Sequence, residues 1–198
     1  AVWDKGLLVR DELDAVSDDQ TFFRLAGEQN GFMLRLVDDL DCLRALGLPA
    51  ILEMRVPGPA QPIYLAVARM RPGVFTLRGG EREIEVGEAA IRSFWTGTAY
   101  VPWKNFLRID GTIPRNAPSS SVLSFKMLLR DIGCRDVAMT AAYDQGAKAI
   151  VRNLQRKYGL EADGKVGPLT KIILYREAKR YPMPQISTPA SVVAGGAT

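Results

Sequence analysis

The sequence predicts an α+β fold in two parts, a mixed helix-and-strand domain followed by a small three-helix module. Three observations carry this prediction. In the first half, helix-like patterns give way to a series of strand-like runs bounded by Gly and Pro. The second half shows helical spacing only, broken by strong turn signals. Between them lies IDGTIPRNAPSSS, residues 109–121, rich in the Gly, Pro, Asn and Ser that resist regular pairing. A chain of 198 residues with 47% hydrophobic content can bury one large core or two small ones.

Helical patterns are expected over residues 18–28 and 34–46, the latter stopped by Gly47 and Pro49. Strand signals follow over residues 50–56, 63–69, 74–78 and 82–86. The last two flank Gly79-Gly80, a hairpin signal, because paired glycines accept the positive φ that tight turns need. A short helix over residues 88–95 then leads into an aromatic segment running to Trp103. In the second half, Ser120 or Ser121 is the expected cap of a helix whose apolar face is Val122, Phe125, Leu129 and Ile132, closed by Gly133. A second helix places Ala147, Ile150, Val151, Leu154 and Tyr158 on one stripe and ends at Gly159. Gly167 and Pro168 open a third, since proline at the first helical position forfeits no needed N–H; its inward face is Leu169, Ile172 and Ile173. Three helices in so short a span make a bundle of modest stability. Beyond Tyr181 the tail has few large apolar residues to bury and is expected to be disordered. The expected boundaries are residues 1–108 for the first domain, 109–184 for the bundle and 185–198 for the tail.

Charge is unevenly placed. The chain carries a net +4, yet residues 120–183 hold 12 Lys/Arg against 6 Asp/Glu, a net of +6. A basic module suggests an acidic partner, either nucleic acid or a wall polymer whose peptides carry free carboxylates. No run of about 18 apolar residues is present to span a membrane, and Ala1 opens the chain with no signal-peptide pattern. Histidine is absent altogether, which removes Ser-His and Cys-His catalysis and the usual His-containing zinc sites. No cofactor and no metal is expected. Two cysteines, Cys42 and Cys134, fall in different halves and are expected as free thiols.

The most informative stretch is IVRNLQRKYGLEADGKVGPLTKIIL, residues 150–174. An amphipathic helix, an Asp-Gly turn and a Gly-Pro helix start follow one another there. This order resembles the repeat of small bacterial peptidoglycan-binding domains, which read roughly V..LQ..YGL..DG.VGP.T...L. Most of the signature residues are expected to build the fold: Leu154 and Leu174 as core, Asp163-Gly164 as the tight turn, Thr170 holding a backbone group near the third helix. The candidate ligand site is the groove between the second helix and the 159–168 loop. Backbone N–H groups at the third helix's start, by Gly167, favour an anion there. Asn153, Gln155 and Arg156 supply donors, and Tyr143 or Tyr158 can flank a sugar or peptide. Asp163, Gly164 and Thr170 complete the candidate set.

The first half, with LRALGLPAILEM, PIYLAVARM, VFTLRGG and AAIRSFWTGTAYVPWKNF, is similar to the later part of a papain-like cysteine peptidase of the double-glycine-cleaving type. In that family the strand matching Ile63-Tyr64-Leu65 carries a histidine, and a helix upstream carries the nucleophilic cysteine. Here the matching places hold no histidine, and residues 31–34 read Gly-Phe-Met-Leu. Cys42, expected to face the core among Leu40, Leu43 and Leu46, is surrounded by Asp38, Asp39 and Asp41, which oppose thiolate formation. The resemblance therefore implies a degenerate peptidase domain with no catalytic residues, in which Trp95 and Trp103 pack. A wall hydrolase or peptidase using the repeat for targeting is the alternative; without histidine it would need a carboxylate-only mechanism.

A peptidase-like module followed by this repeat resembles general secretion pathway protein A of type II secretion systems, through Phe94-Trp95-Thr96-Gly97-Thr98-Ala99 and Trp103. The resemblance spans roughly residues 25–180. It implies a periplasmic, non-catalytic region that binds peptidoglycan and aids secretin insertion, with an ATPase domain and a membrane span upstream of Ala1. It implies other secretion-system proteins as partners, a B-type protein and the secretin, and no nucleic acid. Membrane attachment would come only through the upstream span.

Overall fold

A computed structural model of the chain describes residues 32–37 and 40–186, with side chains from Leu40 onward. The first half is built on one antiparallel sheet. Its strands are β1 (Phe32–Val37), β2 (Ala50–Met54), β3 (Ile63–Arg71), β4 (Val74–Gly79), β5 (Arg82–Gly87) and β6 (Trp95–Trp103), in the order β1-β6-β2-β3-β4-β5. Two short helices join them, α1 (Leu40–Leu46) and α2 (Glu88–Phe94). The fold class is α+β, as the sequence predicts.

Alternation sets the faces of the sheet. Leu52, Met54, Val67, Met70, Phe75, Leu77, Ala99, Val101 and Trp103 are buried, joined by Leu40, Leu43, Leu46 and Ile91 from the two helices. On the other face of the β3-β4-β5 edge, arginines meet glutamates across the strands. Arg69 and Arg78 both reach Glu83, at 3.2 and 2.5 Å, and Arg71 pairs with Glu85. Charged pairs on an edge blunt its tendency to pair with another chain.

The structure departs from expectation in two places here. The helix expected over residues 34–46 begins only at Leu40, and residues 32–37 form β1 instead. FMLRLV is almost wholly apolar, and such a run cannot be assigned by periodicity; pairing with β6, Phe32 opposite Trp103 and Val37 opposite Thr98, decides it. The aromatic segment, in turn, is strand β6, central in the sheet between β1 and β2. Residues 18–28 lie outside the described residues. Gly47, with φ 59°, ends α1 as its sequence signal indicates.

The second half holds α3 (Ser119–Asp131), α4 (Gln145–Lys157) and α5 (Pro168–Ala178). Pro118, rather than either serine, occupies the N-cap of α3. Ser121 is buried within the helix, and its hydroxyl accepts from the Asp110 N–H at 2.8 Å. Asp144 caps α4 by accepting from Ala147 N–H at 2.9 Å, and Arg156 and Lys157 suit its negative C-terminal end. Gly167 and Pro168 start α5 as predicted. Val122, Phe125, Leu129, Val151, Leu154, Ile172, Ile173 and Leu174 are buried, whereas Ile132, Ile150 and Leu169 are half-buried.

The two halves share one continuous cluster of buried side chains. Tyr175 on α5 donates to Asn105 Oδ1 at 2.7 Å and accepts from Leu107 N–H at 3.1 Å. The Arg176 guanidinium donates to the Ala45 carbonyl. Lys171, almost fully buried, donates to the carbonyls of Ile109 and Gly111 at 2.5 and 2.6 Å. The tail also differs from expectation: Ile186 N–H donates to Gly47 O at 3.0 Å, and Ile186 O accepts from Met70 N–H at 2.8 Å. Met183 and Ile186 pack against the core, so residues 182–186 have apolar surface to bury after all. Residues 187–198 lie outside the described residues.

Candidate functional site

The loop between α4 and α5 is organised by one side chain. Gln155 is buried on α4, and its amide nitrogen donates to Asp163 Oδ1 at 3.0 Å, Lys165 O at 3.0 Å and Thr170 Oγ1 at 3.2 Å. Its amide oxygen accepts from Gly164 N–H at 2.9 Å. Thr170 closes the ring by donating to Lys165 O at 3.1 Å. Asp163 makes the turn, as its Oδ1 also accepts from Lys165 N–H at 2.8 Å, two residues on. Burial pushes the Asp163 carboxyl up, but its bonds from Lys165 and Gln155 outweigh this and hold it below the usual value. Gly164 sits at φ 74°, where only glycine is unstrained.

This ring lines an open groove of about 400 Å³ between the end of α4 and the start of α5. Gln155, Asp163, Lys165, Gly167 and Thr170 border it, with Leu160, Pro168 and Leu169 as apolar walls and Thr112 from the connecting segment. The groove opens where the sequence places it, beside Asp163. The predicted residues are divided, however. Asp163, Gly167, Thr170 and Gln155 line the groove, and Gly164 lies behind it, its carbonyl accepting from Tyr143 OH at 2.5 Å. Burial, then the nearby Asp163 charge, push the Tyr143 hydroxyl up to about 12. Tyr158 faces away and donates to Glu177, which Lys157 also reaches at 2.6 Å; burial, followed by the bond to Glu177, raises its hydroxyl to about 12. Asn153 and Arg156 are exposed and bonded to each other at 2.8 Å, outside the groove. Lys165 and Leu160 are groove residues that sequence reasoning missed; the alternating Gly/Lys/Val run around the turn gave no signal for either.

A second hollow, of about 480 Å³, lies between residues 133–138 and the start of α4. Behind it Lys126, fully buried, donates to Ala138 O at 2.9 Å, Thr140 Oγ1 at 3.2 Å and Asp144 Oδ2 at 2.5 Å. Cys134 borders this hollow as a free thiol that burial pushes up, and Cys42 is buried in α1. Among the described residues no cluster of acidic or sulfur ligands could hold a metal ion, and no helix is long and apolar enough to cross a membrane.

Three helices, an Asp-Gly turn locked by a buried glutamine and a groove beside it make up the C-terminal module. Residues 118–174 match the family described as "Putative peptidoglycan binding domain". No curated protein matches the chain. Among solved structures, the chain is similar to a periplasmic domain of the EpsAB fusion protein of the Vibrio vulnificus type II secretion system. That match has 17% identity, covers 79% of this chain and 78% of that one, and has a TM-score of 0.44.

Proposed function

We propose that this chain is a non-catalytic, periplasmic wall-binding region whose C-terminal module holds peptidoglycan in the groove beside Asp163. The observation that carries the reading is that this groove lies inside the segment matching a peptidoglycan-binding family. Its chemistry suits a wall peptide. The start of α5, capped by Gly167, offers free backbone N–H groups to a carboxylate. Lys165, paired with Asp163, and Glu161 border the groove, and Leu160 and Leu169 accept apolar side chains. Asp163, Gly164, Gln155 and Thr170 act by holding the loop in shape, while Tyr143 buttresses it from behind. Asn153, Arg156 and Tyr158 lie outside the groove and would meet only a ligand that extends past it.

The finer reading is a wall anchor in a type II secretion assembly protein, aiding secretin insertion, with a B-type protein and the secretin as partners. It is supported by the sequence resemblance over residues 94–103 and the repeat that follows. On this reading the first domain, residues 1–108, is a degenerate papain-like module. A chain without histidine cannot run Cys-His chemistry, which supports binding over hydrolysis. The test is co-sedimentation of the whole chain with purified sacculi. The chain should pellet with the wall at moderate salt and release no soluble muropeptides; a chain left in the supernatant overturns the reading.

A further inference from the structure

Among the described residues, nine Lys and Arg side chains reach a carboxylate: Arg44, Arg69, Arg71, Arg78 and Arg92 in the sheet domain, and Lys126, Lys157, Lys165 and Arg180 in the C-terminal module. Helix α4, QGAKAIVRNLQRK, carries no acidic residue to match its own cations. Lys148, Arg152 and Arg156 follow one another at four-residue spacing, which places them along one side of the helix. None of the three pairs with a carboxylate among the described residues; Arg156 bonds only Asn153. Asp163 of the following loop is committed to Lys165, and Asp144, the N-cap of α4, to Lys126.

The first two of these cations are also placed by the fold. A Cβ built on Gly164 would stand 2.8 Å from Lys148 Cγ, 3.1 Å from its Cε and 3.3 Å from Arg152 Cγ. The two aliphatic stems therefore lie directly on the bare backbone of the Asp-Gly turn, half-buried, which limits their rotamers and carries the charged ends along the rim of the loop. An ordered cation loses less side-chain entropy when it meets an anion than a free one does. Gly164 thus has two reasons to be glycine, its φ of 74° and the room it leaves for these stems.

We propose that the Lys148–Arg152–Arg156 ridge is a docking surface for the free carboxylates of wall peptides, adjoining the groove across the 159–168 loop. This rests on the peptidoglycan-binding reading and adds to it a second contact, electrostatic in character. The groove grips one peptide end, and the ridge meets the carboxylates that project from the same or a neighbouring stem. Charge complementarity selects this occupant, because the ridge offers cations that no carboxylate among the described residues meets.

The test measures binding of the whole chain to sacculi across a salt series, for the wild type, Lys148→Gln/Arg152→Gln and the charge-keeping Lys148→Arg/Arg152→Lys. The neutral double variant should bind about five- to tenfold more weakly than wild type and lose most of the salt dependence, as expected for two exposed charge contacts. The charge-keeping variant should bind like wild type. Amidating the wall carboxylates should bring wild-type binding down to the level of the neutral variant or below it, since the groove also takes a carboxylate, and should abolish the difference between the two. Wild-type-like binding by a folded neutral variant overturns the ridge and leaves the groove reading standing. Failure of the wild type to bind sacculi at all overturns both.

Discussion

Gln155 shows how one residue can be read correctly for its chemistry and wrongly for its job. Its donors point to ligand contact in the sequence, yet three loop acceptors and one loop N–H use its amide fully. The residue is a brace, and the groove exists because the brace holds the loop open. Lys126 plays a similar part on α3, where Asp144 supplies the charge that offsets its burial. The bond from Lys126, followed by that from Ala147 N–H, holds the Asp144 carboxyl below its ordinary 3.8. A carboxyl lowered by folding contributes stability that is complete above the unfolded-state value and is lost as pH falls through the folded one. Asp144→Asn keeps the helix cap through its amide oxygen, since asparagine caps as well as aspartate, and removes the charge together with the acceptor that Lys126 uses. The stability gap between wild type and Asp144→Asn should be largest near neutrality and shrink below about pH 4, read from urea midpoints across that range. A gap that stays constant into acid would assign the role to the geometry of the Lys126 contact and not to the carboxylate's charge.

At the scale of elements, legibility follows how local each determinant is. The ends of α1, α4 and α5 were readable because Gly47, Gly159 and Gly167-Pro168 act through their own backbone. The hairpin at Gly79-Gly80 was readable for the same reason, and Gly80 takes φ 60°. Strands β1 and β6 were not, because Phe32–Val37 has no alternation and Trp95–Trp103 contains Gly97 and Pro102; β1 is a strand because β6 pairs with it, and β6 because β1 and β2 flank it. The groove's location was legible from the Asp-Gly turn, whereas its lining depends on how α5 lies on α4, which no local signal states. Lys171 is the clearest non-local case. From α5 it satisfies the Ile109 and Gly111 carbonyls of the connecting segment, and burial depresses its ammonium against the opposing pull of Asp110. Lys171→Met should keep the packing of the stem and remove one donor from the Ile109 carbonyl, which keeps its bond from Asn105, and the donor of the exposed Gly111 carbonyl, at a cost of about 1 kcal/mol. Limited proteolysis should then cut residues 109–117 faster than in wild type. An unchanged cutting rate would mean that the segment is held by Ile113 and Val166 without the lysine.

For the whole molecule the question is whether the two halves fold as one. The sequence divides them at residue 108 on composition alone, and we propose that this boundary separates two sequence modules of one cooperative unit. Tyr175 and Arg176 of α5 are bonded to Asn105, Leu107 and Ala45, and the chain returns after α5 so that Ile186 links Gly47 to Met70. The buried side chains of both halves form a single cluster. Breaking such an interface exposes core-like apolar surface on both sides, which couples their unfolding. All three tryptophans, Trp3, Trp95 and Trp103, lie before the C-terminal module, so their fluorescence reports on the first half only. Gln155→Ala, in the second half, leaves the buried Gly164 N–H and Thr170 hydroxyl short of a partner and should cost about 2–4 kcal/mol. In a coupled molecule that loss lowers the denaturation midpoint seen by tryptophan fluorescence as far as the midpoint seen by far-ultraviolet circular dichroism. In a molecule of independent halves the fluorescence transition would stay at its wild-type midpoint while the dichroism splits into two steps. The interlaced contacts of α5 and residues 182–186 predict the coupled result. A wall-held C-terminal module would then carry the sheet domain as one rigid body rather than on a tether.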